Sequence, residues 1–316
     1  MAKLRIVFMG TAELACPILQ ALHAQPDFQI AAVVTQPDRP QGRNLEVQGS
    51  AVKKLAASAG LPVLQPERAR DPEFLERLKQ LKPDLVVVVA YGQILPQALL
   101  DSPRFGCLNV HTSLLPKYRG AAPIQWALLS GDEETGVTIM KMDAGLDTGP
   151  MLTEKRTAIS PDDNAESLHD RLANMGAELI VPTIRDFVAG KIQPRPQPAE
   201  GASYARKIKK EDGRIDWSQP AGAILNRIRA FTPWPGAYTF LEAEPKPQML
   251  KIWKAGLESG KQGRSGEVIC RDKEGIVVAC GEGSLRIQEL QREGGRRVTA
   301  QQFLAGTNIQ TGAMLK

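Results

Sequence analysis

Leu85-Val86-Val87-Val88-Val89-Ala90 is the longest uninterrupted apolar run in the chain. Six residues make a strand, and a strand without polar alternation is covered on both faces. A parallel sheet with helices on either side meets that condition. The flanks agree. Leu4-Arg5-Ile6-Val7-Phe8-Met9 reads as a first strand that turns at Gly10, and a helix follows over Glu13–Ala24, with Leu14, Ile18, Leu19 and Leu22 at helical spacing. Gln29–Thr35 is a second strand. Val52–Ala59 and Pro72–Leu81 read as amphipathic helices, with a short strand, Pro62–Leu64, between them, and Phe105–Thr112 is a further strand. Strand and helix alternate, so the expected architecture is α/β, a doubly wound, Rossmann-like domain. One connection is unusually long for this class, the polar loop Pro37–Ser50 with Arg39, Gly42, Arg43 and Gly49.

The pattern changes after Lys191. Pro194, Pro196 and Pro198 alternate and Gly201-Ala202-Ser203 follows, a composition that favours extended geometry. Residues 194–205 therefore read as a linker between a domain over 1–193 and a second over 206–316. The second opens on a basic helix, Ala221–Phe231, with Arg227 and Arg229. Ala237–Phe240, Met249–Trp253, Gly266–Cys270, Ile276–Ala279 and Leu285–Leu290 are short strands at roughly ten-residue spacing, which predicts a small β-barrel.

Composition narrows the function. With 42% hydrophobic and 24% charged residues the 316-residue chain has the makeup of a globular protein. No apolar run approaches the roughly 18 residues of a membrane span, and the N-terminal apolar stretch is too short for a signal peptide, so a cytoplasmic location is expected. Cys16, Cys107, Cys270 and Cys280 show no C-x-x-C spacing and the chain has 3 histidines, so neither a disulfide framework nor a metal cluster is expected. The first turn, Gly10-Thr11-Ala12-Glu13-Leu14-Ala15, carries one glycine where a dinucleotide site needs three, and places Glu13 where phosphate would bind. No P-loop occurs. Charge is uneven: Lys and Arg number 21 against 23 acidic residues over 1–200, and 19 against 12 over 201–316. A basic final third suits a polyanionic partner.

The densest chemistry is Asn109-Val110-His111. Residues two apart on a strand share a face, so an amide and an imidazole project together from the C-terminal end of a parallel strand, the edge at which open α/β sheets bind ligands. Asp147, in Asp143-Ala144-Gly145-Leu146-Asp147-Thr148-Gly149, is the plausible third partner, and Gly145 and Gly149 allow its loop to turn sharply. Cys107 shares the strand face but reads as packing.

Asn109-Val110-His111-Thr112-Ser113-Leu114-Leu115-Pro116-Lys117-Tyr118-Arg119-Gly120, with Asp147-Thr148-Gly149 downstream, resembles the signature of the folate-dependent formyltransferase family. Phe8-Met9-Gly10-Thr11, Val87–Gly92, Gly120–Trp126 and Arg229–Ala237 extend the resemblance from the first strand into the second domain and narrow it to the branch that acts on tRNA. The resemblance implies transfer of a formyl group from 10-formyltetrahydrofolate to the amine of methionyl-initiator tRNA, giving N-formylmethionyl-tRNA for translation initiation. Asn109, His111 and Asp147 would be catalytic, with Asp147 either keeping His111 charged or relaying a proton. The folate would lie along Ala90, Tyr91 and Gly92 and the loop Ser113, Leu114, Leu115 and Pro116, its anionic tail near Lys117 or Arg119. Arg43 in the long loop would approach the tRNA acceptor end. The C-terminal domain would be an oligonucleotide-binding-like barrel, with Arg206, Lys207, Lys209, Lys210, Arg227 and Arg229 along the acceptor stem.

This chain departs from the family pattern in two places. Asn44-Leu45-Glu46 stands where lysines are usual, and Ala12 and Leu14 replace proline and phenylalanine. Two other readings stand beside the first: a formyltransferase for an amino sugar or a purine precursor, and a non-catalytic tRNA-binding protein. Nothing in the pattern asks for an oligomer, so a monomer is expected.

Overall fold

The computed structural model describes residues 3–41, 46–242, 247–260, 262–307 and 309–316. The chain divides into two compact units, one formed by Met1–Pro123, Glu134–Ala158 and His169–Arg206, the other by Ile124–Glu133, Ile159–Leu168 and Lys207–Lys316.

The elements up to residue 206 are β1 (Leu4–Gly10), α1 (Ala15–His23), β2 (Phe28–Val34), β3 (Arg39–Gln41), β4 (Glu46–Gln48), α2 (Ala51–Ser58), β5 (Val63–Leu64), α3 (Pro72–Gln80), β6 (Leu85–Val89), α4 (Gln97–Leu100), β7 (Cys107–His111), β8 (Arg119–Gly120), α5 (Pro123–Ser130), β9 (Glu134–Lys141), β10 (Met151–Ala158), α6 (Ala165–Val188) and β11 (Tyr204–Ala205). Seven strands form one sheet in the order β10-β9-β7-β6-β1-β2-β5. The five from β5 to β7 are parallel. All of β6 is buried, as the unbroken Leu/Val run requires. Around Val7, Met9, Val86 and Val88 pack Phe74 and Leu78 from α3, Leu99 from α4, and Cys107.

The sheet is mixed rather than wholly parallel. β9 runs antiparallel to β7, and β10 antiparallel to β9. β10 is an edge strand whose Glu154, Lys155 and Arg156 are exposed, so it carries no apolar alternation to betray it, and such charges block further strand addition. From β1 the chain passes first to β2 and later to β6 on the opposite side. The crevice between such strands, at their C-terminal ends, is where doubly wound sheets bind ligands. Thr11, Ala90–Gly92 and His111 sit at or just beyond those ends.

The second unit holds α7 (Ala221–Ala230), β12 (Ala237–Leu241), β13 (Gln248–Glu258), β14 (Val268–Asp272), β15 (Gly275–Ala279), β16 (Ser284–Arg292), β17 (Val298–Thr299) and α8 (Ala300–Ala305). Its antiparallel sheet runs β12-β13-β16-β15-β14, with β17 beside β16. The five expected strands are present, and a segment not expected closes them. Phe240 and Lys316 exchange backbone N–H···O bonds of 2.8 Å each, while Leu315 N donates to Gly266 O at 2.8 Å and Val268 N to Ala313 O at 2.9 Å. Residues 312–316 thus bridge β12 to the start of β14. Ile224 and Ile228 of α7 join Trp217, Leu250, Ile252, Val278, Leu285 and Ile287 in the core.

Candidate active site

β7 places Asn109 and His111 on one face, and the loop between β9 and β10 lays Asp147 against both. Asn109 Nδ2 donates to Asp147 Oδ1 at 3.2 Å. His111 Nδ1 lies 3.7 Å from Asp147 Oδ2. The same Oδ2 accepts from Gly120 N at 2.8 Å. One carboxylate therefore brackets an amide, an imidazole and a backbone N–H. Asn109 and His111 are buried, and the Asp147 carboxylate is 13% exposed. The set is largely withdrawn from water, which strengthens every charge interaction in it.

The other ring nitrogen decides the histidine's tautomer. His111 Nε2 is 2.9 Å from Tyr118 O. A carbonyl oxygen can only accept, so Nε2 carries a hydrogen, and in the neutral ring Nδ1 is the free base facing Asp147. Loop geometry supports this arrangement. Asp147 has φ +53°, Tyr118 +61° and Gly120 +117°. Aspartate tolerates the left-handed region better than most residues, and glycine adopts it freely. A Cβ on Gly149 would collide with Lys141 O, so only glycine lets the loop return so close to β9.

Sequence reasoning missed Gln197. Its Nε2 donates to Asp147 O and to Gly149 O, both at 2.8 Å. Its Oε1 accepts from Arg119 Nε and Nη2, at 3.0 and 2.7 Å. Gln197 lies in the segment read as a linker, yet that segment is bonded into the first unit. Arg195 and Met151 exchange backbone bonds of 2.8 Å, and β11 pairs with β8. The Pro-x-Pro-x-Pro spacing is a signal for an extended strand-like path as much as for a tether.

The residues expected along the folate fall into two groups. Ala90 and Gly92 are exposed with φ +44° and +86°, and Ile94 beyond them is largely exposed. The Tyr91 ring is instead buried in the sheet core, which pushes its hydroxyl up to about 12, and its carbonyl accepts from Thr11 Oγ1 and Gln36 Nε2. Leu114 and Pro116 keep partial exposure. Ser113 is fully buried, its hydroxyl donating to Lys117 O at 2.6 Å, and Leu115 N donates to Thr138 Oγ1. Ser113 and Leu115 hold the loop rather than present surface. Arg119 spends its fork on Gln197. The Cys107 thiol packs in the core, and burial pushes it up to about 12, far from a usable nucleophile.

Two of the arginines expected along tRNA are engaged within the second unit. Arg229 donates to Asp163 O at 2.7 Å, Ser160 O at 2.6 Å and Asn226 Oδ1 at 3.2 Å, and Arg227 to Asp212 O at 2.5 Å. Arg206, Lys207, Lys209 and Lys210 are exposed. Arg43 lies outside the described residues. Among the described residues no group of His, Cys, Asp and Glu is arranged to hold a metal ion, and no helix is long and apolar enough to cross a membrane.

Residues 4–184 match the formyl transferase family and residues 207–308 its C-terminal domain. Methionyl-tRNA formyltransferase of Geobacter sulfurreducens is 50% identical over 315 residues, covering 100% of this chain and 98% of that protein. The enzyme of the same name from Caldanaerobacter subterraneus is 49% identical over 314 residues, 99% of this chain and 100% of that one.

The chain belongs to the methionyl-tRNA formyltransferase family.

Solved structures at lower identity share its fold. An N-formyltransferase from Helicobacter canadensis, in complex with folinic acid and dTDP-3-aminofucose, superposes with a TM-score of 0.64 at 21% identity, over 91% of this chain and 99% of that one. HypX from Aquifex aeolicus, in complex with tetrahydrofolic acid, superposes with a TM-score of 0.61 at 18% identity, over 96% of this chain and 47% of that one. The doubly wound sheet with an antiparallel second unit is thus a fold shared with these structures, and the full-length identity to methionyl-tRNA formyltransferases sets aside the reading as a non-catalytic protein.

Proposed function

We propose that this protein acts in the cytoplasm to move the formyl group of 10-formyltetrahydrofolate to the free amine of methionyl-initiator tRNA, with Asn109, His111 and Asp147 as the reacting set. The observation that carries the reading is the single Asp147 carboxylate shared by Asn109 and His111. The donor supplies a formyl carbon attached to a nitrogen leaving group, and it would lie against the exposed backbone at Ala90 and Gly92 and the surfaces of Leu114 and Pro116. An irregular backbone with free edges suits a heterocycle rich in donors and acceptors.

Each side chain has one task. An amide nitrogen carries two hydrogens; Asn109 gives one to Asp147 and keeps the other for the oxygen on which negative charge develops. His111, its Nε2–H fixed on Tyr118 O, takes the proton lost by the attacking amine at Nδ1. The resulting imidazolium then stands beside the Asp147 carboxylate, which stabilises it. As the formyl carbon–nitrogen bond of the donor breaks, the leaving nitrogen takes that proton back, so protons balance over the cycle.

The acceptor is a polyanion, and the exposed Lys209 and Lys210, with Arg206 and Lys207, support contact to its phosphates; Arg227 and Arg229 are set aside for internal bonds. The test offers the purified protein 10-formyltetrahydrofolate with methionyl-initiator tRNA and, in parallel, a nucleotide-linked amino sugar. Formylation of the tRNA, lost in Asp147→Asn, is expected. Formylation of the sugar alone would overturn the acceptor and leave the reacting set standing.

A further inference from the structure

The active-site loops have no regular secondary structure of their own beyond the two residues of β8. Something must hold them, because misplacement of a reacting group by about 1 Å costs on the order of a hundredfold in rate. Residues 195–205 are placed to do this. Their backbone runs along both catalytic loops: Arg195 pairs with Met151 at the end of the Asp147 loop; Ser203 O accepts from Arg119 N at 2.8 Å; Ser203 Oγ accepts from Tyr118 N at 2.9 Å; Ala205 O accepts from Ala121 N at 2.9 Å. Tyr118 is the residue whose carbonyl orients His111, and Gly120 is the one whose N–H holds Asp147.

Among the described residues of this strap, Gln197 is the side chain whose hydrogen bonds tie the two loops to each other. Its amide hydrogens go to the carbonyls of Asp147 and Gly149, and its oxygen to the Arg119 guanidinium. All four bonds use the amide in one orientation. A guanidinium can only donate and a carbonyl can only accept, so the amide cannot be flipped. Asp147 sits at φ +53°, a conformation that needs outside support, and Gln197 supplies it by fixing the peptide that leaves that residue.

We propose that Gln197 is a positioning residue for formyl transfer: by pinning the Asp147 and Gly149 carbonyls to Arg119 it sets the Asp147 carboxylate against Asn109 and His111. The proposal rests on Asp147 belonging to the reacting set. Gln197 touches no reacting atom, so its contribution lies in kcat rather than in substrate affinity. It also makes residues 195–205 part of the active site's scaffold.

The test compares Gln197→Ala, Gln197→Glu and Asp147→Asn with the parent, in full-length protein, by steady-state kinetics across pH and by thermal melting. Glutamate keeps the partner for Arg119 but cannot donate to either carbonyl. Both Gln197 variants are expected to lose about 10- to 100-fold in kcat, with KM for tRNA and for the folate donor changed by less than about threefold. The kcat profile against pH should differ in shape from the parent's, since the Asp147 carboxylate moves relative to Asn109 and His111. Gln197→Glu should melt close to the parent, because its carboxylate pairs with Arg119. A Gln197→Glu variant with parental kcat, or a lowered kcat whose pH profile keeps the parent's shape, would overturn the proposal. If instead Asp147→Asn is as active as the parent, the reading of the reacting set has failed, and that outcome is separate from the first.

Discussion

Asn109→Asp tests the reacting set most sharply, because it changes one heavy atom and almost no volume. The present amide nitrogen sits 3.2 Å from Asp147 Oδ1 and donates to it. Its replacement by oxygen puts a second carboxylate at that distance. Two unit charges 3.2 Å apart at an effective dielectric of about 20 repel by roughly 5 kcal/mol. The pair then holds one proton in common rather than ionise twice, as paired carboxylates do elsewhere. The hydrogen that Asn109 offers to the developing oxyanion is lost whenever that proton is absent or faces Asp147. Removal of one such donor costs about 10²- to 10³-fold in kcat. The expected result at neutral pH is a loss in that range, with little change in either KM.

The sign of the pH dependence follows from the same argument. As pH falls and the pair gains its second proton, a carboxylic acid at position 109 can donate, so relative activity of the variant recovers towards acid. Parent and variant share the need for a neutral amine, so that loss towards acid cancels in their ratio. The ratio of variant to parent kcat should therefore rise as pH falls. Single-turnover formylation between about pH 5 and pH 8 reads the ratio directly. A variant within about tenfold of the parent at neutral pH, or a ratio that falls with pH, would refute the donor role of Asn109.

Two further substitutions check the second unit. Arg229→Met removes three charge-assisted bonds from a guanidinium whose burial lowers its pKa. It should cost about 2–4 kcal/mol in denaturant unfolding while the slope of tRNA affinity against salt stays unchanged; a slope reduced by about one would return Arg229 to the phosphate contacts. Asp272 is held down at about 2, first by its hydrogen bond from Arg286. Its folded-state value is depressed, so the stabilisation is present above the ordinary carboxylate range and is lost as pH falls from about 4 to 2. Asp272→Asn should destabilise by at most about 1 kcal/mol at neutral pH, as befits a partly exposed pair, and the difference from the parent should vanish over that acid window in urea titrations.

The parallel half of the sheet was legible because burial on both faces leaves an unmistakable mark, as in Leu85–Ala90. The active-site face was legible for a different reason: period-two geometry puts Asn109 beside His111 on any strand, and Gly145 and Gly149 announce a tight loop. β10 was not legible, since an exposed edge strand such as Thr153–Thr157 needs no hydrophobic alternation. Gln197 was hidden by its neighbours, because alternate prolines look alike whether the chain crosses open solvent or lies extended along a loop. The closing segment at 312–316 has five residues with a glycine at its head and makes only isolated bridges, too short for any periodicity to register.

The arginines show where residue type alone misleads. Arg229, Arg227 and Arg119 were read as contacts for an anionic partner, and all three donate to uncharged oxygens of the protein's own chain. Arg5 does the same, with Nε and Nη2 both on Leu81 O. A planar fork with five hydrogens suits the pinning of irregular backbone, where loop carbonyls would otherwise lack donors. Such a bond leaves the positive charge in place, because a carbonyl does not neutralise it. These arginines still contribute to the field that draws a polyanion in, while releasing no counterion on contact. On the proposed function, charge counts over residues 201–316 therefore speak to steering of the acceptor, and contact with it would fall to exposed side chains such as Lys209 and Lys210. An arginine whose hydrogens are spent on loop oxygens and a lysine exposed to solvent are alike in a composition table and differ only in what their hydrogens reach.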